Sequence, residues 1–150
     1  MIIVEDTRQK ADKHKAKNDY WSEHGDAVIR CKLPFGDYAQ APKKAVDTKV
    51  GSTEIAGNMC GSMSEKRRFR EECSGARDAG CELIFLIEDD LFGSIADLYG
   101  AKIPIHTGQI IPGDQLARAM EVMSARYGCR FEFCRPEEAG RRVKELLEDG

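Results

Sequence analysis

The sequence predicts an α/β domain whose mixed β-sheet is flanked by helices. Three observations lead there. Short apolar or alternating segments take turns with stretches of helical length and period. Glycines at 25, 80 and 128 close three of those helical stretches. The run LIFLI (83–87) reads as a strand buried on both faces. With 150 residues, 41% of them hydrophobic and 33% charged, one domain over 1–150 can bury a real core.

The elements follow in order. IIVED (2–6) is a short apolar strand ending in acids, and KADKHKAKNDYWSEHG (10–25) is a helix stopped at Gly25. DAVIRCKLP (26–34) sets Val28, Arg30 and Lys32 against Ile29, Cys31 and Leu33, the pattern of a half-buried strand. PFGDY turns it into a second strand near 38–41, and KAVDTKV (44–50) is a third. A short helix is expected in STEIAGNMCGSM (52–63), then a longer one over 65–80, capped by Ser64 and striped by Phe69, Cys73 and Ala76. ELIFLIEDD (82–90) is the buried strand. Residues 91–113, rich in glycine and holding two prolines, read as a loop or lid with one short helix. GDQLARAMEVMSARYG (113–128) is a helix with Leu116, Ala119, Met120 and Met123 on one face. CRFEFC (129–134) is a strand, and RPEEAGRRVKELLED (135–149) a helix with Val143, Leu146 and Leu147 on its apolar side.

Composition excludes some function classes. No apolar run approaches the roughly 20 residues that span a bilayer, and the N-terminus reaches charge too soon for a signal peptide. An intracellular, cytoplasmic protein without a membrane partner is expected. The six cysteines include no CxxC pair and no histidine at zinc-finger spacing, so they read as reduced, buried thiols. A net charge of −3 argues against a generic binder of nucleic acid. The cations nevertheless cluster, in 10–17, in PKK (42–44) and in KRRFR (66–70).

Asp6, Asp37 and Asp47 all fall at strand ends, in a strand turn or in a strand. Convergent carboxylates repel one another and suit a hard divalent cation, Mg²⁺ or Mn²⁺. Along a strand Asp47 and Lys49 share a face, and the Thr48 main-chain carbonyl between them offers a neutral ligand. Lys49 could orient a water or stabilise the phosphorane-like transition state. An acid, one intervening residue and a lysine, after a separate aspartate, is the PD-(D/E)xK nuclease arrangement.

The chain also resembles the XPF-type nuclease domain. That family's Asp-x-Arg-Glu is matched by Asp6-Thr7-Arg8-Gln9, and its Leu-Pro-x-Gly-Asp-Tyr by residues 33–38. Its Glu-Arg-Lys signature corresponds to Asp47-Thr48-Lys49, with Glu54 near the place of its last aspartate. RRFREE (67–72), LIFLIE (83–88) and the stretch 125–147 are similar as well. Gln9, Asp47, Thr48 and Glu54 depart from the family pattern, as expected of a divergent stand-alone member of the kind carried by phages and bacteria.

The resemblance implies a restriction-endonuclease-like fold and an Mg²⁺- or Mn²⁺-dependent endonuclease selective for flap, fork or junction DNA, as in repair or recombination. Asp37 and Asp47 would hold metal, with Asp6 as a third acid and Thr48 lending its carbonyl. Lys49 would position the water. Arg8 would touch the phosphate or pair with Asp6 or Asp37, and Glu54 is a ligand or a helix-start charge. With neither helix-hairpin-helix motifs nor a helicase domain in the 150 residues, Lys66, Arg67, Arg68, Arg70, the lysine-rich first helix or a partner subunit would meet DNA. Met120, Met123, Leu146 and Leu147 are either core or a homodimer contact. His106 is read as an exposed loop histidine that could approach substrate. The alternative function is a non-catalytic DNA-binding or scaffold subunit; a small-molecule phosphohydrolase is a third.

Overall fold

The computed structural model describes residues 2–8, 15–33 and 36–148. They form two compact units, Met1–Pro42 and Lys43–Gly150. In the first, β1 (Ile2–Asp6) lies between β2 (Ala27–Cys31), parallel to it, and β3 (Tyr38–Gln40), antiparallel, so this sheet is mixed. Ile3 and Val4 supply its buried apolar centre. Helix α1 (Lys15–Glu23) has no buried residue; Trp21 meets Tyr38 edge-on at 5.2 Å and Lys17 lies over the same ring. The expected start of this helix, at Lys10, lies outside the described residues.

One expectation for this unit changes. The alternation in 26–34 predicts a half-buried strand, but β2 is exposed along most of its length, Ile29 and Cys31 included. It is an outer strand of its sheet, with one strand neighbour among the described residues. Cys31 is therefore not a buried thiol, unlike Cys60, Cys73 and Cys129.

The second unit is built on a parallel sheet of β4 (Lys44–Val50), β5 (Glu82–Glu88) and β8 (Arg130–Cys134), with β5 in the middle. Five consecutive residues of β5 are buried because both of its faces are covered. Leu83, Phe85 and Ile87 pack against α2 (Gly51–Cys60), α3 (Met63–Asp78) and α4 (Gly113–Tyr127). Ile84 and Leu86 face Val143 and Leu146 of α5 (Ala139–Glu148), which follows a 3₁₀ turn at Pro136–Glu138. Phe85 is flanked by Phe69 at 4.7 Å and Phe131 at 5.3 Å, near-parallel rings that tie α3 to both strands. Met120 and Met123 belong to this core, and Leu147 is exposed while Leu146 is buried.

Two further expectations are corrected. In residues 91–113 the one short helix is present, but the rest is not simply a loop. They hold a 3₁₀ turn (Ile95–Leu98) and a hairpin of β6 (Lys102–Pro104) and β7 (Ile110–Pro112), whose Ile103 and Ile111, with Leu98 and Ile105, enter the core. Each strand is only three residues long and ends in proline, so no alternating pattern could develop. The cap of α3 is Ser62, which accepts from the Glu65 amide at 3.2 Å; Ser64 sits inside the first turn. Gly113 opens α4 hard against Leu98, whose carbonyl oxygen would lie 1.7 Å from any Cβ there.

Candidate active-site cleft

β4 sends Ala45, Asp47 and Lys49 to the side of its sheet that carries α2, α3 and α4, and Val46 to the side that carries α5. Asp47 and Lys49 form an ion pair at 3.6 Å, with Lys49 the more enclosed of the two. The ammonium also lies 6.0 Å from the centre of the Phe85 ring, and so rests against the core.

The cleft in front of Lys49 has a volume of about 630 Å³. Helix α2 gives it Glu54 and Asn58, and α3 gives it Glu65, Arg68 and Glu72. Along α3 the residues 65, 68 and 72 make one stripe beside the buried stripe of Phe69, Cys73 and Ala76. Glu72 is the residue that sequence reasoning missed. Its carboxyl hydrogen-bonds to Asp47 and is pushed up from 4.5 to about 7. Loss of solvent contributes most, then the bond to Asp47 and its charge, while Lys49 works the other way. An acid three residues after a buried aromatic borders the buried face, and that spacing was the available signal.

His106, at the tip of the β6–β7 hairpin, is exposed as expected but is not free: its Nε2 lies 3.2 Å from Glu65 Oε1. It packs beside Gly57, where a Cβ would lie 3.4 Å from Nδ1, an ordinary contact. Glu54 accepts from the Val50 amide at 2.8 Å, which makes it a helix-start group that also lines the cleft. The KRRFR cluster does not act as one patch. Arg68 faces the cleft, Lys66 and Arg70 line a separate groove beyond Phe69, and Arg67 is exposed. A 100° turn per residue separates neighbours that the sequence writes side by side.

Asp6, Arg8 and Asp37 belong to the first unit. Asp6 is 2% exposed, and its oxygens are taken: Oδ1 accepts from the amides of Leu33 (3.1 Å) and Arg8, and Oδ2 from Arg8 Nε. Burial pushes its pKa up, but the bonds from Leu33 and Arg8 outweigh it and hold the carboxyl below its ordinary value. Arg8 also donates to the Leu33 carbonyl at 3.0 Å, so its role here is the ion pair to Asp6. The Asp6 amide donates to the Asp37 carbonyl at 2.9 Å, a main-chain contact that involves neither carboxylate.

Among the described residues no three His, Cys, Asp or Glu side chains are grouped to hold a metal ion. The donor set at β4 nonetheless fits a hard divalent cation. Two carboxylates, Asp47 and Glu72, stand side by side, and Mg²⁺ commonly takes one or two carboxylates and keeps several waters.

Two solved structures resemble the chain. XPF from Aeropyrum pernix is 19% identical, with a TM-score of 0.49, over 98% of this chain and 63% of that one. XPF from Aeropyrum pernix in complex with DNA is 20% identical, with a TM-score of 0.47, over 97% and 62%. The chain thus spans less than two thirds of the structures it matches. No family model and no curated protein matches it.

Proposed function

We propose that the protein is a metal-dependent hydrolase of DNA phosphodiesters, cutting within strands and favouring flapped, forked or branched forms. The observation that carries this reading is the Asp47–Glu72 carboxyl pair beside Lys49; Glu72 and Lys49 line a cleft that Glu54, Glu65 and Arg68 line as well. Positive charge added beside these carboxylates favours the entry of a phosphate. Asp47 and Glu72 would hold Mg²⁺ or Mn²⁺, with the Thr48 carbonyl as a further donor. Such an ion supplies charge neutralisation for the phosphate and acidifies its water ligand.

The chain's own groups supply the rest. Lys49, held by Asp47 against Phe85, presents a fixed ammonium that orients the attacking water and meets the charge that grows on the phosphoryl oxygens. Arg68, exposed on the same cleft, is placed for a neighbouring phosphate of the strand. Hydrolysis forms a bond from water oxygen to phosphorus, breaks the bond to the leaving sugar oxygen, and returns a proton to that oxygen.

The test is cleavage of end-labelled linear, flapped and four-way-junction DNA with Mg²⁺, Mn²⁺ or EDTA. The wild type is compared with Asp47→Ala, Glu72→Gln and Asp37→Ala, the last because the sequence motif counts that residue among the ligands. Metal-dependent cutting that Asp47→Ala abolishes supports the reading; no cutting with either metal rejects it. A second reading, a non-catalytic DNA-binding or scaffold subunit, has one observation in its favour: the Asp6 carboxylate is fully engaged by Arg8 and Leu33. That reading expects DNA binding that is indifferent to metal and survives Asp47→Ala.

A further inference from the structure

On the other flank of the buried stripe of α3 lies a groove of about 490 Å³, closed on its far side by α4. Three of the chain's five methionines line it: Met59, Met63 and Met123. Met63 is 74% exposed and Val122, on the α4 rim, 57%, so large apolar side chains stand open to water at both edges. Lys66 and Arg70 on α3 and Arg118 on α4 add positive charge to both sides, and among the described residues no acid lines the groove.

We infer that this groove docks an acidic amphipathic helix of a partner protein. The stretches that line it, from Met63 to Arg70 on α3 and from Gln115 to Met123 on α4, are each about 10–12 Å long. That length takes two turns of a helix, read through apolar anchors at i, i+4 and i+7. The cations on both rims call for carboxylates on both flanks of those anchors. The thioether floor supplies soft, adaptable contact for them. A DNA backbone would use the cations but leave the methionine floor without a purpose. The groove and the cleft share no cation or acid, so docking here is independent of the chemistry of the cleft.

The experiment uses the full chain labelled with ¹³C-methyl methionine. The probe is an acetylated peptide of about 15 residues with leucines at i, i+4 and i+7 and glutamates on both flanks. The methyl signals of Met59, Met63 and Met123 should shift on titration, while that of Met120, sealed in the core, stays in place. A scrambled peptide of the same composition should bind at least about tenfold more weakly, and Arg70→Glu and Arg118→Glu should each cost about tenfold. Both arginines are exposed, so those variants keep the fold. Three results overturn the inference. The peptide moves no methionine; duplex DNA moves the same three signals at lower concentration, making the groove a nucleic-acid surface; or dilution of the protein alone moves them, making it a contact between two copies.

Discussion

Replacing Glu72 with glutamine should make the metal-free protein more stable in alkali and leave it unchanged in acid. In the folded state the Glu72 carboxyl keeps its proton to about pH 7, against an ordinary value of 4.5 once unfolded. Between those values the folded chain binds more protons than the unfolded one, so stability falls as pH rises through that window and stays low above it. At about 1.4 kcal/mol per pH unit the whole difference is worth about 3.4 kcal/mol. The carboxyl loses part of its solvent, but the residue as a whole is exposed, and solvent screening leaves about 1 kcal/mol of that. Glu72→Gln removes the ionisation and keeps the shape. Urea unfolding in EDTA should therefore find the variant more stable than wild type by about 1 kcal/mol at pH 8.5 and equal to it at pH 4. An offset that is the same at both pH values would falsify the raised carboxyl of Glu72.

Other substitutions probe the frame that holds the cleft. Ser62→Ala should cost about 1 kcal/mol in urea unfolding through the lost bond to the Glu65 amide, whereas Ser64→Ala should stay within about 0.5 kcal/mol. Gly113→Ala should cost at least about 3 kcal/mol, because its Cβ has no space beside the Leu98 carbonyl; a Tm equal to that of the wild type would show that α4 and the 3₁₀ turn slide apart freely. Phe85→Ala should cost about 3–5 kcal/mol by removing the ring between Phe69 and Phe131, which calorimetry would read as a lower Tm.

The elements that were legible in sequence are those whose signal is local. LIFLI announces β5 because a strand covered on both faces must be apolar throughout, and glycines 25, 80 and 128 end helices with positive φ where the pattern stops. The β6–β7 hairpin was not legible, since three residues ending in proline carry no period. The cap of α3 was ambiguous because Ser62 and Ser64 both precede the helical stripe, and only the bond to Glu65 distinguishes them. Of the site, the pairing of Asp47 with Lys49 follows from strand alternation alone. Glu72 lies on another element, and its neighbourhood with Asp47 exists only after α3 has packed on the sheet. KRRFR misled for the converse reason: closeness in sequence is not closeness on a helix.

The parallel order β4–β5–β8 has a consequence for how the cleft comes into being. Lys44 pairs with Glu82 and Ile84 with Arg130, so each strand pairing must close a loop of roughly forty residues before it gains anything. Such distant pairings belong to slowly folding, high-contact-order chains. On the ribosome β4 is made before β5, its one strand neighbour among the described residues, and β5 lacks its own second partner until Cys134 has emerged. The side chains of the cleft, from Lys49 to His106, are all made before β8, but the sheet beneath them is complete only when nearly the whole of the second unit has been synthesised, and a nascent chain stopped before β8 would carry Asp47 and Lys49 on an unfinished sheet.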